Sequence, residues 1–510
     1  MATVETSFTE RVWSDFQEAI FVEYVTGSRH IIVRARAGTG KTTTIVEAVK
    51  RLLKAHPNRV VIVCAFNKNI AEELNKRFSG FNVVVKTLHA IGLNCVKRFW
   101  EDIKVSFGPE RADDLAQRAC GITAPDAIKK LVAKLHTKGR EIAPHARTGA
   151  ELMDIAVRFE CEPEESWARD GFGLDYVCDK AAVAMEFAAS EKPTKTGIDG
   201  SDMIFLPVRN RWLHPMCDDV VVDEAQDMTP AQLEIAQGIV KSDANGGRIM
   251  IVGDDKQAIY GFRGADSDSL DRLKAELNAY ELPLNITYRC GQSIVREAQR
   301  YVPDFAAGPA NAEGVVEDLF MSKLVATAGP GDFILSRINA PLVSVAMSLL
   351  RNGKRTRIAG RDIGAGLVSL LRKFRARSVP QLLEKIESWK EREIARLDAR
   401  FPPNKRDNST YTARLDGIRD QAEMLVSLTD GAPSVTEVES RITALFTDDG
   451  LGAAGMITCS SVHKSKGLEA DRVFILVDTL RDSNSEERNI NYVAITRAKS
   501  RLVYVTKDAE

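Results

Sequence analysis

The sequence predicts an α/β protein made of two parallel-sheet domains, each interrupted by a mostly helical insertion. Three observations carry that expectation. Short β-branched or apolar runs alternate with amphipathic stretches over the first hundred residues. The alternation stops near Cys95 and resumes near Asp218. The same plan then repeats in the second half. Alternating strands and helices place helices on both faces of a parallel sheet.

Taken in order, His30–Arg36 reads as a strand, Thr42–Leu53 as a helix, Arg59–Ala65 as a strand, Asn69–Phe78 as a helix and Asn82–Lys86 as a strand. From Cys95 to Lys195 the pattern is helical, with breaks at Ala143-Pro144 and Glu162-Pro163. Strands return at Asp218–Val222 and Arg248–Val252. In the second half, Asp332–Leu335 and Thr356–Ala359 flank the helix Pro341–Leu350. Residues 362–444 are helical and highly charged, broken by Phe401-Pro402-Pro403. Strands close the chain at Met456–Ser460, Arg472–Val477 and Arg501–Val505. The expected division is a first α/β domain over 1–95 and 201–275 with its insertion at 96–200. The second covers 276–361 and 447–510, with its insertion at 362–446.

Composition narrows the class. At ~150 residues per domain, 510 residues suggest three or four domains. A hydrophobic fraction of 44% and a charged fraction of 28% are ordinary for a folded chain and argue against wholesale disorder. A net charge of −1 excludes a polycation but leaves room for a local basic groove. No run reaches the ~18–20 apolar residues of a membrane span. Met1–Glu10 lacks an apolar secretory core, and the C-terminus lacks a lipidation motif. The eight cysteines are never closer than 17 residues, which removes CxxC zinc and redox motifs. Scattered thiols fit a reducing cytosol, where they pack as small hydrophobes.

Two motifs carry chemistry. Ala35-Arg36-Ala37-Gly38-Thr39-Gly40-Lys41-Thr42 joins a strand to a helix and is a P-loop with Ala in place of the first Gly. Glycines let backbone N–H groups approach phosphate oxygens. Lys41 supplies a point charge for the β- and γ-phosphates, and Thr42 a ligand for Mg²⁺. Asp218-Asp219-Val220-Val221-Val222-Asp223-Glu224-Ala225-Gln226-Asp227 is an apolar strand ending in carboxylates. Asp223 would help hold Mg²⁺ there, and Glu224 would orient or deprotonate the attacking water.

Further segments resemble one family. Asp223-Glu224-Ala225-Gln226-Asp227 resembles a signature of superfamily 1 helicases. The run from Gly253 through Gln257, Tyr260 and Phe262 to Asp266 narrows the likeness to the UvrD/Rep/PcrA-like DNA helicases. Thr287-Tyr288-Arg289, Val462-His463-Lys464-Ser465-Lys466-Gly467-Leu468-Glu469 and Tyr492-Val493-Ala494-Ile495-Thr496-Arg497-Ala498 follow in the family's order. The resemblance spans Gln17 to Arg497. It implies two RecA-like P-loop motor domains whose helical insertions correspond to the family's accessory subdomains. It also implies ATP and Mg²⁺ as cofactors.

The resemblance assigns roles. The P-loop residues Ala37, Gly38, Thr39, Gly40, Lys41 and Thr42 would bind nucleotide. Gln17 would read the adenine edge, because a carboxamide donates and accepts together. Tyr288 would stack on adenine and Glu469 would contact ribose. Gln257 would sense the γ-phosphate. Arg289 and Arg497 would stabilise the charge spread over the transferred phosphoryl group. Tyr260, Phe262 and Arg263 would face single-stranded DNA, since stacking on aromatic rings tolerates any sequence. Phe66 would be a base wedge, with Asn67 and Lys68 holding phosphate. Thr87 and His89, then His463 and Lys464, would donate to the strand backbone.

Two departures stand out. The family commonly carries an Arg two residues after the P-loop Lys-Thr pair, where Thr43 and Thr44 follow here. Phe262 stands where Trp is frequent. The basic run Arg351, Lys354, Arg355, Arg357, Arg361, Arg372, Lys373, Arg375 and Arg377 fits a duplex-contacting face and a solvated helix face equally well, so no site is assigned to it. The function implied is an ATP-dependent 3′→5′ DNA helicase acting on single strands and on junctions with duplex. A translocase that strips proteins from single strands shares every motif, and a 5′→3′ motor of the same superfamily is the other alternative. The expected setting is cytoplasmic, in a bacterial or phage-infected cell, with no membrane partner and with protein partners met through the insertions.

Overall fold

The computed structural model describes residues 12–259, 269–401, 403, 406, 409–446 and 455–508. The chain forms two compact units, Met1–Asn285 and Ile286–Glu510.

The first unit holds β1 (Ile31–Ala35), β2 (Val61–Ala65), β3 (Val83–Thr87), β4 (Asp219–Val222), β5 (Arg248–Gly253) and β6 (Tyr280–Leu284). Their order is β3-β2-β4-β5-β1-β6, and every neighbouring pair is parallel. β2, β4 and β5 are buried at every residue, which is why they read as unbroken apolar runs. Alternate residues serve opposite faces, as a period of two requires. Ile31, Val33, Val61 and Val63 pack with Phe21, Ile45, Val49 and Leu52. Ile32, Ile62 and Cys64 pack with Leu88, Ile91 and Leu233 on the other side.

β6 overturns one expectation. The second domain was expected to start at 276, yet Tyr280–Leu284 pairs with β1 in the first sheet. Pro283 lacks an amide N–H and breaks the strand pattern, and such a residue is tolerated on an edge strand. Another unforeseen strand, Val315–Phe320, is also an edge strand, with every residue at least partly exposed.

The helices Glu110–Cys120, Asp126–Ile142, Met153–Arg158, Glu165–Arg169, Leu174–Ser190 and Gly200–Arg209 lie between β3 and β4 and share a core of their own. A buried ionic cluster crosses that core. Arg140 pairs with Asp199 at 2.8 Å and with Asp202 at 2.6 Å, and Arg111 pairs with Asp202 at 2.9 Å. His136, fully buried beside it, donates from Nε2 to the Ala112 carbonyl at 3.0 Å. Burial, then the charge of Arg140, pushes its pKa down to about 3. The unfolded chain takes up a proton near 6.5, while the folded chain resists it to about 3. Stability from this residue is therefore complete above 6.5 and is lost as pH falls. The expected loss is ~2 kcal/mol between pH 7 and pH 5. Thermal unfolding of His136→Gln should show a flatter pH dependence than the parent over that window. Coincident slopes would mean that His136 titrates normally.

In the second unit, β7 (Ile286–Thr287) and β8 (Ala306–Ala307) form a short parallel pair. The main sheet holds β9 (Val315–Phe320), β10 (Phe333–Ser336), β11 (Thr356–Ile358), β12 (Ile457–Ser461), β13 (Ala470–Leu476) and β14 (Ala498–Thr506). Its order is β11-β12-β10-β13-β14-β9, again wholly parallel. Helices Arg361–Phe374, Val379–Arg400, Ser409–Thr429 and Val435–Leu445 lie between β11 and β12. The first insertion meets its sheet's core through Ile204 and Val208 of its last helix, whereas these helices share one apolar cluster with their sheet throughout, Leu425, Leu428 and Ile442 packing with Ile334 and Ile358. Asp420 strengthens that union by accepting from the Asn339 and Ala340 amides at 2.9 and 2.6 Å. All eight cysteines are buried as free thiols. Among the described residues, no helix is long and apolar enough to cross a membrane.

Candidate nucleotide site and nucleic-acid interface

Parallel strands bring all their C-terminal ends to one edge of a sheet, where α/β folds place ligands. In the first unit that edge gathers the segments following β1, β2, β3, β4 and β5. The P-loop leaves β1 and opens the helix Lys41–Ala55, whose N-terminus has no side-chain cap. Its backbone N–H groups are positioned for an anion. Gly38 and Gly40 have φ of 68° and 79°, a region that favours glycine. Ala35 ends β1 as an extended, fully buried residue, so the position where a P-loop usually has its first glycine tolerates a side chain here.

The carboxylates of the next strand meet the P-loop. Lys41 Nζ lies 3.0 Å from the Glu224 carboxylate, and Thr42 Oγ1 donates to Asp223 Oδ2 at 3.3 Å. Glu224 has φ of 54°, a left-handed conformation that is uncommon outside glycine and occurs at functional turns. Burial, then the charge of Glu224, raises the Asp223 pKa to about 6. Burial opposes the charge on Lys41, but Glu224, Asp254 and Asp223 outweigh it and hold its pKa above the ordinary value. The Thr42 hydroxyl and the Asp223 carboxylate are hard oxygen donors, a set that suits Mg²⁺ completed by water and phosphate. Among the described residues no cluster of three or more His, Cys, Asp or Glu forms a metal cage.

A relay not foreseen from sequence links these groups to β5. Gln226 Nε2 donates to Glu224 Oε2 at 2.6 Å, and Gln226 Oε1 accepts from the Asp254 amide at 3.0 Å. Gln257 Nε2 donates to Asp254 Oδ2 at 2.5 Å. Arg36 Nη1 reaches Asp254 at 3.3 Å and Asp255 at 2.8 Å, both beneath the surface. Burial opposes ionisation of Asp255, yet Arg36 and Lys256 win and lower its pKa to about 2. Gln226, Asp254 and Arg36 lie inside the quoted motifs, but nothing local marks them as partners.

Gln17 comes to the back of the P-loop. It is 2% exposed, and its side chain completes the capping box of the helix Asp15–Thr26. Its Oε1 accepts from the Ser14 amide at 3.1 Å, and its Nε2 donates to Thr44 Oγ1 at 3.0 Å. Thr44 in turn donates to the Gly40 carbonyl at 3.0 Å. The threonine that follows where an arginine is common thus ties Gln17 to the loop.

β2 lies beside β4, so the segments expected to grip DNA adjoin the carboxylates on the same edge. Phe66 follows β2 and is 43% exposed, as a base wedge needs. Asn67 caps the helix Lys68–Arg77 through Oδ1, and Thr87 caps the helix Leu88–Phe99 through Oγ1. Those acceptors are committed to helix starts, an outcome the sequence reading omitted. The Lys68 side chain is exposed and weakly paired with Glu72 at 3.7 Å. His89 is half-buried, and burial lowers its pKa, so the ring is neutral near pH 7. Tyr260, Phe262 and Arg263 lie outside the described residues. Phe66→Ala removes an exposed ring, so stability should change by less than ~0.5 kcal/mol. DNA affinity should fall by ~1–3 kcal/mol. An oligonucleotide titration beside thermal unfolding checks both, and unchanged affinity would exclude Phe66 from the interface.

The second unit brings its expected nucleotide residues together. Arg289 Nε lies 2.5 Å from Glu469, which also pairs with Lys499 at 2.9 Å. Arg497 is 1% exposed and donates to the Val493 and Leu468 carbonyls at 3.0 and 3.1 Å and to Thr496 Oγ1 at 3.3 Å. Burial, then Arg289, lowers its pKa to about 10, so it stays charged at neutral pH. Three of its five N–H donors are thereby engaged within the unit. Tyr288, next to Arg289, is 47% exposed. Glu469 and Arg497 directly precede β13 and β14, at the N-terminal edge of the sheet. His463 and Lys464 follow β12 at the opposite, C-terminal edge. There Lys464 pairs with Asp362 at 2.7 Å.

Comparison with known proteins agrees with this geometry. A family profile described as the UvrD/REP helicase N-terminal domain matches residues 15–278, and one described as the UvrD-like helicase C-terminal domain matches 456–505. The ATP-dependent DNA helicase Rep of Escherichia coli is 25% identical over 304 residues, covering 54% of this chain and 41% of that protein. The ATP-dependent DNA helicase PcrA of Leuconostoc citreum is 25% identical over 295 residues, 53% of this chain and 37% of that protein. The F-box DNA helicase protein 1 of Schizosaccharomyces pombe is 23% identical across 92% of this chain and 55% of its own length. The chain thus spans about half the length of these curated relatives.

Proposed function

We propose, from the premise that this chain belongs to the UvrD/Rep helicase family, that it is an ATP- and Mg²⁺-dependent motor that moves 3′→5′ on single-stranded DNA and separates duplex ahead of it. The observation that carries the reading is the joined set at one sheet edge. Lys41, Glu224, Gln226, Asp254 and Gln257 form a continuous polar chain, beside the strand end that carries Phe66.

That chain suggests how nucleotide state reaches DNA. Lys41, now paired with Glu224, would turn to the β- and γ-phosphates. Glu224 is then released to orient the attacking water, while Gln226 holds its other oxygen. A change at Glu224 is felt at Asp254 through Gln226, and at Gln257 through Asp254. Thr42 and Asp223 would hold Mg²⁺, which neutralises phosphate charge when bound. Gln17 and Tyr288 serve the base, Glu469 the ribose, and Arg289 and Arg497 the transferred phosphoryl group. Phe66, Asn67, Lys68, Thr87, His89, Tyr260, Phe262, Arg263, His463 and Lys464 serve the strand. We read residues 96–200 and 362–446 as accessory insertions offering surfaces to junctions and protein partners, and the setting as cytoplasmic.

Strand displacement with ATP on two matched duplexes, one 3′-tailed and one 5′-tailed, tests the proposal. Opening of the 3′-tailed duplex alone is the expected result. Opening of the 5′-tailed duplex alone would reverse the polarity. Stimulation of ATP turnover by single strands with neither duplex opened would leave a translocase.

A further inference from the structure

The helix Arg361–Phe374 and the helix Val435–Leu445 enclose a groove of about 760 Å³ in the second unit. Its floor is apolar, made by Val368, Ile442 and Phe446. Its rim carries Arg361, Arg372, Lys373 and Arg375. Arg361, Ala365, Val368, Arg372 and Arg375 recur at helical spacings of four and three, so one stripe of the helix faces the groove. The adjoining stripe, Gly364, Leu367 and Leu371, is buried, and Gly364 reaches the groove wall.

Only one of the four rim charges is spent on the fold. Arg372 pairs with Glu439 at 2.6 Å. Among the described residues, Arg361, Lys373 and Arg375 have no carboxylate within ion-pair distance. The helix dipole accounts for cations in the last turn, Arg372 and Lys373, but not for Arg361 in the first turn, where a cation is disfavoured. Arg375 sits at φ of 48°, a left-handed cap position that glycine would occupy with less strain. Asp362, next to Arg361, holds Lys464, so the groove begins where the expected strand contact of β12 ends.

Cations along a rim above an apolar floor suit a flexible polyanion with apolar faces, that is, a nucleic-acid single strand. A duplex would present phosphates only. The geometry points to this groove as a second single-strand site, which continues the track from Lys464 into the insertion through phosphate contacts to Arg361, Lys373 and Arg375. This inference rests on the proposed DNA motor and adds the path of the strand on the second unit.

The test is the salt dependence of binding to labelled oligothymidylates, compared with a blunt duplex. Each phosphate contact to a single strand contributes ~0.7 to the slope of log affinity against log salt. Arg361→Gln/Lys373→Gln/Arg375→Gln, at three exposed positions, should lower that slope by about 2 on long oligomers. On oligomers too short to pass Lys464 the slope should not change. Arg375→Gly relieves the left-handed backbone, so it folds at least as well, and should lower the slope by ~0.7. An unchanged slope in both variants overturns the inference and leaves a solvated face. A loss confined to the duplex also overturns it. If the parent chain binds no single strand at all, the motor reading itself fails, which is a separate result.

Discussion

Glu224→Gln should cut ATP turnover by ~10²–10⁴-fold, the range that general-base catalysis supplies, and leave nucleotide binding in place. The side chain accepts from Gln226 at 2.6 Å and pairs with Lys41 at 3.0 Å. The glutamine keeps the size and one acceptor, so the loop should hold its shape. What disappears is the anionic oxygen that, on the proposed reading, would take the proton of water. Its charge also contributes to the raised pKa of Asp223, so the substitution should let Asp223 ionise more readily and favour cation binding. Turnover and binding of a fluorescent ATP analogue, measured together, separate the two effects. Normal turnover would remove Glu224 from the chemistry. Loss of both would recast it as a structural partner of Lys41.

Lys41→Ala should abolish ATP turnover and weaken triphosphate binding together, unlike Glu224→Gln. It also removes the cation that Glu224, Asp254 and Asp223 face. Breaking a buried ion pair from one side costs ~3–5 kcal/mol. The low end is expected, because Glu224 keeps 27% of its side chain exposed. Chemical denaturation should therefore register a larger loss in stability than Glu224→Gln produces, because the glutamine keeps one acceptor and leaves Lys41 the charges of Asp254 and Asp223. Persistent turnover would mean that phosphate is bound elsewhere. Full loss of turnover without any stability change would mean that Lys41 turns to solvent when the nucleotide is absent.

Much of the candidate site was legible because its signals are local. A strand, a glycine-rich turn and a helix occupy one short segment around Lys41, and an apolar run ends in Asp223-Glu224. The central strands were legible for a related reason, since burial on both faces makes them continuously apolar. The edge strands β3 and β11 were still legible as β-branched runs, but the edge strands β6 and β9 gave no such signal. Tyr280–Leu284 carries Pro283, and Val315–Phe320 has acidic residues on an exposed rim. Roles written for single residues proved incomplete in the same way. Asn67 and Thr87 also cap helices, and Arg497 spends donors on nearby carbonyls.

By itself, the sequence determined the α/β class, the P-loop, the acidic strand end and the family to which they belong, because each depends on neighbours along the chain. Tertiary structure alone decided which distant groups share charge. Lys41 meets Glu224 across 183 positions and Arg36 meets Asp255 across 219. Those meetings follow from strand order, which puts β4 and β5 close to β1 and the strand that bears Phe66 beside β4. Strand order is set by the packing of whole helices and strands around two faces of a sheet. No local pattern of residues encodes it.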